Sequence, residues 1–121
     1  MEVILDSSFI ITAMKNKLDF VDLLKEKGFS VKVPREVLIE LKDLRLKVSH
    51  EERVTIDLAL SLIEKGNVRK MVIGKKKVDL ALIERGKTGS YIATLDNAIK
   101  REIPNVVTLS STKKDVLIER K

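Results

Sequence analysis

Short apolar runs alternate with amphipathic segments along the whole chain. The first run is at residues 3–5, and similar runs return at 31–33, 91–95 and 106–109. Between them, apolar residues recur at the three- and four-residue spacing of helices. Continuous apolar strands that alternate with helices are typical of a parallel sheet with helices on both faces. The pattern therefore predicts an α/β fold, a three-layer sandwich around a central, mostly parallel sheet.

Residues that favour helix ends mark several boundaries. Gly28, Gly66 and Gly86 follow helical segments as C-terminal stops, Pro34 suits the first turn of a helix, and residues 49–52 (Ser-His-Glu-Glu) form a capping box. The predicted strands are 3–5, 31–33, 68–73, 91–95 and 106–109. The predicted helices are 7–15, 18–27, 34–46, 50–65, 78–85 and 97–102.

The size and composition indicate one globular domain. With 121 residues, the chain is predicted to be a single domain with its core at about 3–109, and 110–121 to be a tail or an edge strand. No apolar run approaches the length needed to span a bilayer, so we expect no membrane association. The chain has no cysteine and one histidine, which excludes disulfides, thiolate metal sites and histidine-rich zinc sites and favours a cytoplasmic protein.

The charge of the chain favours polyanionic partners. Twenty-four Lys and Arg against eighteen Asp and Glu give a net charge of +6. Such an excess is typical of proteins that bind nucleic acid, although many basic proteins bind none. The chain has only three Phe and one Tyr, so base stacking cannot dominate binding, and recognition of the RNA backbone is the better hypothesis.

Two aspartates end predicted strands. Asp6 directly follows the strand at 3–5, and Asp96 directly follows the strand at 91–95. In parallel sheets, functional sites lie beyond the carboxyl ends of the strands, where the strand order reverses. If these two strands are neighbours, the carboxylates converge there. Each residue also precedes a helix, and capping alone would explain either one.

Two further acids lie on predicted helices. Glu40 is at the edge of the apolar stripe of the helix at 34–46, from which it can reach the rim of the sheet. Asp79 lies in the first turn of the helix at 78–85, where the helix dipole favours an acid without any function. Alone, each is explained by its helix, and the hypothesis of a shared site depends on their combination.

Four segments resemble, in order and spacing, the motifs of the PIN-domain nucleases. They are ILDSSFI, VPREVLIEL, VDLALIERG and YIATLDNAIKREIP, and the resemblance spans about residues 3–109. It implies that Asp6, Glu40, Asp79 and Asp96 form a pocket that holds Mg²⁺ or Mn²⁺, and that Ser7 and Thr94 orient the aspartates. Where the family usually has Thr-Asn-Asp, this chain has Thr-Leu-Asp at 94–96. Independently, carboxylates without His or Cys are the ligands that these hard cations prefer.

The resemblance implies a metal-dependent endoribonuclease that leaves 5′-phosphate and 3′-hydroxyl ends. The family includes VapC-like toxins and ribosomal-RNA processing nucleases. The partners to be expected are RNA, a cognate antitoxin protein and a second copy of the chain. The alternative is a catalytically silent PIN domain that acts as an RNA- or protein-binding scaffold. Lys75, Lys76 and Lys77 are candidate contacts to RNA phosphates, with a solvated helix start as the equally weighted alternative.

Overall fold

A computed structural model describes residues 1–74, 76–110 and 112–121. Within these ranges the chain forms one six-stranded sheet with helices on both sides. The strands are Glu2–Leu5 (β1), Ser30–Pro34 (β2), Arg69–Met71 (β3), Tyr91–Ala93 (β4), Asn105–Leu109 (β5) and Val116–Arg120 (β6). The helices are Ser7–Lys15 (α1), Phe20–Glu26 (α2), Arg35–Arg45 (α3), His50–Lys65 (α4), Val78–Lys87 (α5) and Asn97–Lys100 (α6).

The strand order places β1 and β4 side by side in the middle of the sheet. The order is β3-β2-β1-β4-β5-β6, the first five strands are parallel, and β6 pairs antiparallel with β5. From β1 the chain moves outward to β2 and β3, and it then returns to β4 on the other side of β1. The strand order therefore reverses between β1 and β4, and Leu5 lies level with Ala93 there. This is where ligands bind in open α/β sheets.

Strand β1 is buried on both faces, which explains its unbroken apolar run. Val3 and Leu5 pack in the core that the sheet forms with α1–α4, whereas Ile4 packs in the core beneath α5 and α6. All three side chains have no exposed surface. Burying each one fully contributes about 1.5–3 kcal/mol. The predicted three-layer sandwich with a mostly parallel sheet is confirmed.

The larger core lies between the sheet and helices α1–α4. Phe9 of α1 and Phe20 of α2 are fully buried, and their rings meet edge to face with centroids 6.2 Å apart. Across the sheet, Leu82 of α5 and Ile103 pack on Ile92 of β4. No helix in the described part of the chain is both long and apolar enough to cross a membrane.

Several predicted boundaries differ from the structure. Pro34 is the last residue of β2, with φ −64° and ψ 138°, and α3 begins one residue later. The strand predicted at 68–73 is reduced to Arg69–Met71 at the edge of the sheet. Residues 116–120 form β6, the strand at the opposite edge.

The prediction that Gly86 ends its helix is wrong, because α5 continues to Lys87. Gly86 is buried inside the helix, and a Cβ atom there would lie 2.4 Å from Ile103 Cγ2. The glycine is therefore required for the close approach of α5 to Ile103. The turn that follows uses Gly89, whose φ is +112°.

We expect Gly86→Ala to lower the free energy of unfolding by about 1–2 kcal/mol, because overpacking costs more than the roughly 1 kcal/mol that alanine normally gains in a helix. In an Ile103→Ala background the 2.4 Å contact with Cγ2 is removed and only the 2.9 Å contact with Cβ remains, so the same substitution should cost less. Urea unfolding of the four proteins measures this coupling. An equal effect of Gly86→Ala in both backgrounds would contradict the packing role.

Candidate functional site

Asp6 is the only buried Asp, Glu, Lys or Arg in the described ranges, with 8% of its surface exposed. Its backbone N–H donates to the carbonyl of Ala93 at 2.9 Å and extends the pairing of β1 with β4 by one residue. Its side chain therefore begins at the reversal point of the sheet. Because burying a carboxylate without partners is costly, the Asp6 side chain requires hydrogen bonds or a counter-charge.

The carboxylate of Asp6 is held by three donors. Oδ1 accepts a hydrogen bond from the backbone N–H of Ser7 at 2.9 Å. Oδ2 accepts from the hydroxyls of Thr94 at 2.7 Å and Ser8 at 3.1 Å. No Lys, Arg or His among the described residues forms an ion pair with it. Among the described residues, the Asp6 carboxylate thus has neutral hydrogen-bond donors and no ion-pair partner.

Thr94 connects Asp6 to Asp96. Its side chain is fully buried, and its hydroxyl also accepts from the backbone N–H of Asp96 at 3.1 Å. The Asp96 side chain itself is exposed and caps α6, because Oδ1 accepts from the N–H of Ala98 at 2.9 Å. The two aspartates predicted to converge are therefore joined through one hydroxyl. The helix-cap interpretation of Asp96 also holds.

Glu40 joins the same network from α3. Its Oε1 accepts a hydrogen bond from the hydroxyl of Ser7 at 2.6 Å, and its side chain is exposed next to the buried Leu41. Ser7 therefore lies between Glu40 and Asp6. Ser7 connects Glu40 to Asp6 through its hydroxyl and its backbone N–H. Thr94 connects Asp6 to the backbone N–H of Asp96 through its hydroxyl.

Sequence reasoning missed Ser8. Besides its bond to Asp6, the Ser8 hydroxyl accepts from the backbone N–H of Leu95 at 3.1 Å and lies 3.4 Å from the Thr94 hydroxyl. It thus ties the start of α1 to the loop after β4. The available signal was a second hydroxyl in the first helical turn after a strand-end aspartate.

Asp79 lies outside this network. It is exposed in the first turn of α5, and its Oδ1 accepts from the N–H of the adjacent Leu80 at 3.1 Å. Moreover, no group of three or more His, Cys, Asp or Glu side chains that could hold a metal ion is found among the residues the structure describes. The structure therefore connects three of the four predicted acids but does not assemble a four-carboxylate cage.

The donor chemistry of the network fits a hard divalent cation. Every side-chain donor atom near Asp6 is an oxygen, as Mg²⁺ and Mn²⁺ prefer. Mg²⁺ usually keeps several water ligands and takes only one or two carboxylates from the protein. Asp6, with either Asp96 or Glu40, satisfies that requirement, whereas an all-protein site with four acids does not fit.

Two of the predicted RNA-binding lysines, Lys76 and Lys77, directly precede α5. Lys75 lies outside the described residues. Lys76 is ion-paired with Glu84 of α5, and Lys77 is exposed at the residue that precedes α5. Neither contacts the network around Asp6. The structure thus gives Lys76 a partner within the protein.

Resolved pKa shifts occur away from the network. The hydrogen bond from Arg45 lowers the pKa of Asp57 and raises that of Arg45 itself. The backbone N–H of Val116 lowers the pKa of Asp115, to which Lys27 also contributes.

Comparison of the sequence with protein-family models and with curated proteins finds no match.

Replacing Thr94 with valine should lower the free energy of unfolding by about 1–3 kcal/mol, because the substitution removes a donor to buried Asp6 and leaves the Asp96 N–H unpaired. Thr108→Val is the matched control. Thr108 is also buried, with 4% exposure, and it lies in β5 outside the network around Asp6. Chemical denaturation of both variants measures the difference, and equal stabilities would show that the Thr94 hydroxyl does not hold the site together.

Proposed function

We propose that this protein is a metal-dependent endoribonuclease of the PIN type that hydrolyses RNA phosphodiesters with Mg²⁺ or Mn²⁺. The observation that carries the proposal is Asp6, a buried carboxylate at the reversal point of the sheet with no cationic partner among the described side chains. The Glu40 carboxylate is linked to it through Ser7, and the backbone N–H of Asp96 is linked to it through the Thr94 hydroxyl. A buried acid without a basic partner is what a cation site requires.

In this proposal, Asp6 would hold the cation together with Asp96 or Glu40. When bound, the cation would supply Lewis-acid chemistry, lowering the pKa of a water molecule and stabilising negative charge on the phosphate. The reaction is attack of water on phosphorus with departure of the 3′-oxygen, which leaves 5′-phosphate and 3′-hydroxyl ends. The proposal depends on Asp6, Asp96 and Glu40, and it assigns no ligand role to Asp79.

The hydroxyl groups position the carboxylates. Thr94 and Ser8 both donate to Oδ2 of Asp6, and Ser7 donates from its backbone to Oδ1. These bonds fix the rotamer of Asp6, so little conformational entropy is lost when a cation binds. Residues that orient metal ligands in this way commonly change metal affinity by about 10–100-fold when they are replaced.

The competing proposal is a silent PIN-type scaffold that binds RNA or protein without cleaving. One observation favours it: Asp96 and Asp79 each accept a backbone hydrogen bond at the start of their own helices. Those contacts would exist without any metal. Among nuclease roles, an RNA-processing enzyme and a toxin with an antitoxin partner both agree with the network. The nuclease and an RNA-binding scaffold both make RNA the expected ligand of this basic protein.

We expect Asp6→Asn and Asp96→Asn each to reduce Mn²⁺-dependent RNA cleavage by about 100-fold or more, because each removes negative charge that would hold the cation. Asp19→Asn is the matched control. Asp19 also caps a helix, through the N–H of Asp22, and asparagine caps equally well.

Cleavage is measured on a labelled RNA of mixed single- and double-stranded structure, with circular dichroism as the check on folding. Full cleavage in excess EDTA, or full activity of Asp6→Asn, would contradict the metal mechanism. RNA binding without cleavage by the wild-type protein would favour the scaffold.

A further inference from the structure

A pocket lies between the end of α1 and the loop that follows β5. Its volume is about 490 Å³. The pocket offers hydroxyl, amide and ammonium donors, and no described lining residue is a carboxylate. The lining residues are Asn16, Leu18, Ser110, Thr112, Lys113 and Lys114. Such a donor set is suited to an anion.

One wall of the pocket begins at the same edge of the sheet as Asp6 and Asp96. Ser110 directly follows β5, which pairs with β4, and Val107 of β5 lies level with Ala93 of β4. Two strand spacings and the rise of two residues place the Cα atoms of Asp6 and Ser110 about 12 Å apart. The loop that carries the two lysines therefore begins at the edge of the sheet where the acidic network lies.

The positive charge of this loop is not cancelled by its own aspartate. Asp115 is ion-paired with Lys27 at 3.3 Å, and it accepts the N–H of Val116 at 2.8 Å. Lys113 and Lys114 are exposed and form no ion pair with another described residue.

The loop also has a defined local shape. The hydroxyl of Ser110 accepts from the N–H of Lys113 at 3.0 Å and of Thr112 at 3.4 Å. The backbone N–H of Ser110 donates to the carbonyl of Asp115 at 3.1 Å. These bonds fold the described residues of the loop, 110 and 112–115, back toward Ser110 before β6 begins, and both lysines line the pocket.

We propose that this pocket binds backbone phosphates of single-stranded RNA beside the bond to be cleaved. The inference rests on the proposed nuclease function and extends it to the binding of substrate. A row of carboxylates alone repels RNA, so the adjacent basic pocket is needed to hold the strand across that edge. No aromatic side chain is among the described lining residues, so the contacts are to phosphate and sugar and carry no base preference.

The test compares Lys113→Gln/Lys114→Gln with Lys65→Gln/Arg69→Gln. The control pair removes the same charge at the end of α4 and the start of β3, which is the amino edge of the sheet. Affinity for a fluorescein-labelled oligouridylate of about 12 nucleotides, a length within the site sizes of single-strand binders, is measured by anisotropy in EDTA at several salt concentrations. Thermal melts check that all three proteins are folded.

We expect the loop variant to bind more weakly and to have a slope of log K against log salt that is shallower by about 1.4, since each phosphate contact to a single strand contributes about 0.7. The ratio of wild-type to variant affinity should then fall about sevenfold between 50 and 200 mM salt. The control pair should retain most of the wild-type slope.

Equal losses in the two variants, or no RNA binding by the wild type, would overturn the inference. Displacement of the RNA by polyglutamate as effectively as by unlabelled oligouridylate would also overturn it and favour an acidic protein segment. Cleavage with Mn²⁺ is measured separately. If the wild type cleaves RNA but the loop variant has the wild-type slope of log K against log salt, only the phosphate pocket is refuted. If binding depends on the loop lysines but the wild type does not cleave, the nuclease is refuted and the pocket is supported.

Discussion

The burial of one carboxylate is the constraint on which the candidate site depends. Asp6 ends a strand that is buried on both faces, so its side chain leaves the sheet in surroundings with little water. A carboxylate in such a place requires hydrogen bonds or a counter-charge. The structure supplies hydrogen bonds from two hydroxyls and one backbone N–H, and no cationic side chain from the residues it describes.

These hydrogen bonds also connect separate elements of the fold. Thr94 lies after β4 and Ser8 lies in α1, so the carboxylate of Asp6 can be satisfied only when β4 is beside β1 and α1 has formed. Glu40 adds α3 through Ser7. The topology and the chemistry of the site are therefore coupled, since the same reversal of strand order that opens the edge of the sheet brings its polar groups together.

Much of this arrangement could be predicted from local patterns. The apolar run before Asp6 predicted a buried strand, and the prediction succeeded because both faces of β1 are covered. The positions of Asp6 and Asp96 followed from the predicted ends of their strands. The resemblance implied that Ser7 and Thr94 orient the aspartates. The hydrogen bond that Ser8 accepts from Leu95 could not be predicted, because it depends on the neighbouring strand. Nothing in the sequence indicates which way an exposed first-turn acid points, and Asp79 bonds to its own helix.

The predicted end of α5 at Gly86 was wrong because it, too, depends on a contact between distant parts of the chain. Gly86 has the sequence position of a helix stop, yet its role is set by Ile103, which is 17 residues further along the chain and touches α5 only in the folded protein. A local signal cannot separate a glycine that ends a helix from one that permits close packing. Tertiary contacts decide between the two.

Thermal melting with Mn²⁺ tests the central claim, that Asp6 is buried to hold a cation. At ten times the dissociation constant, the cation should stabilise the wild-type protein by about 1.4 kcal/mol, which corresponds to a rise in Tm of roughly 5 °C for a domain of this size. Asp6→Asn should show no such rise, while the cap control Asp19→Asn should respond like the wild type. Identical responses of wild type and Asp6→Asn to millimolar Mn²⁺ and to EDTA would contradict the account.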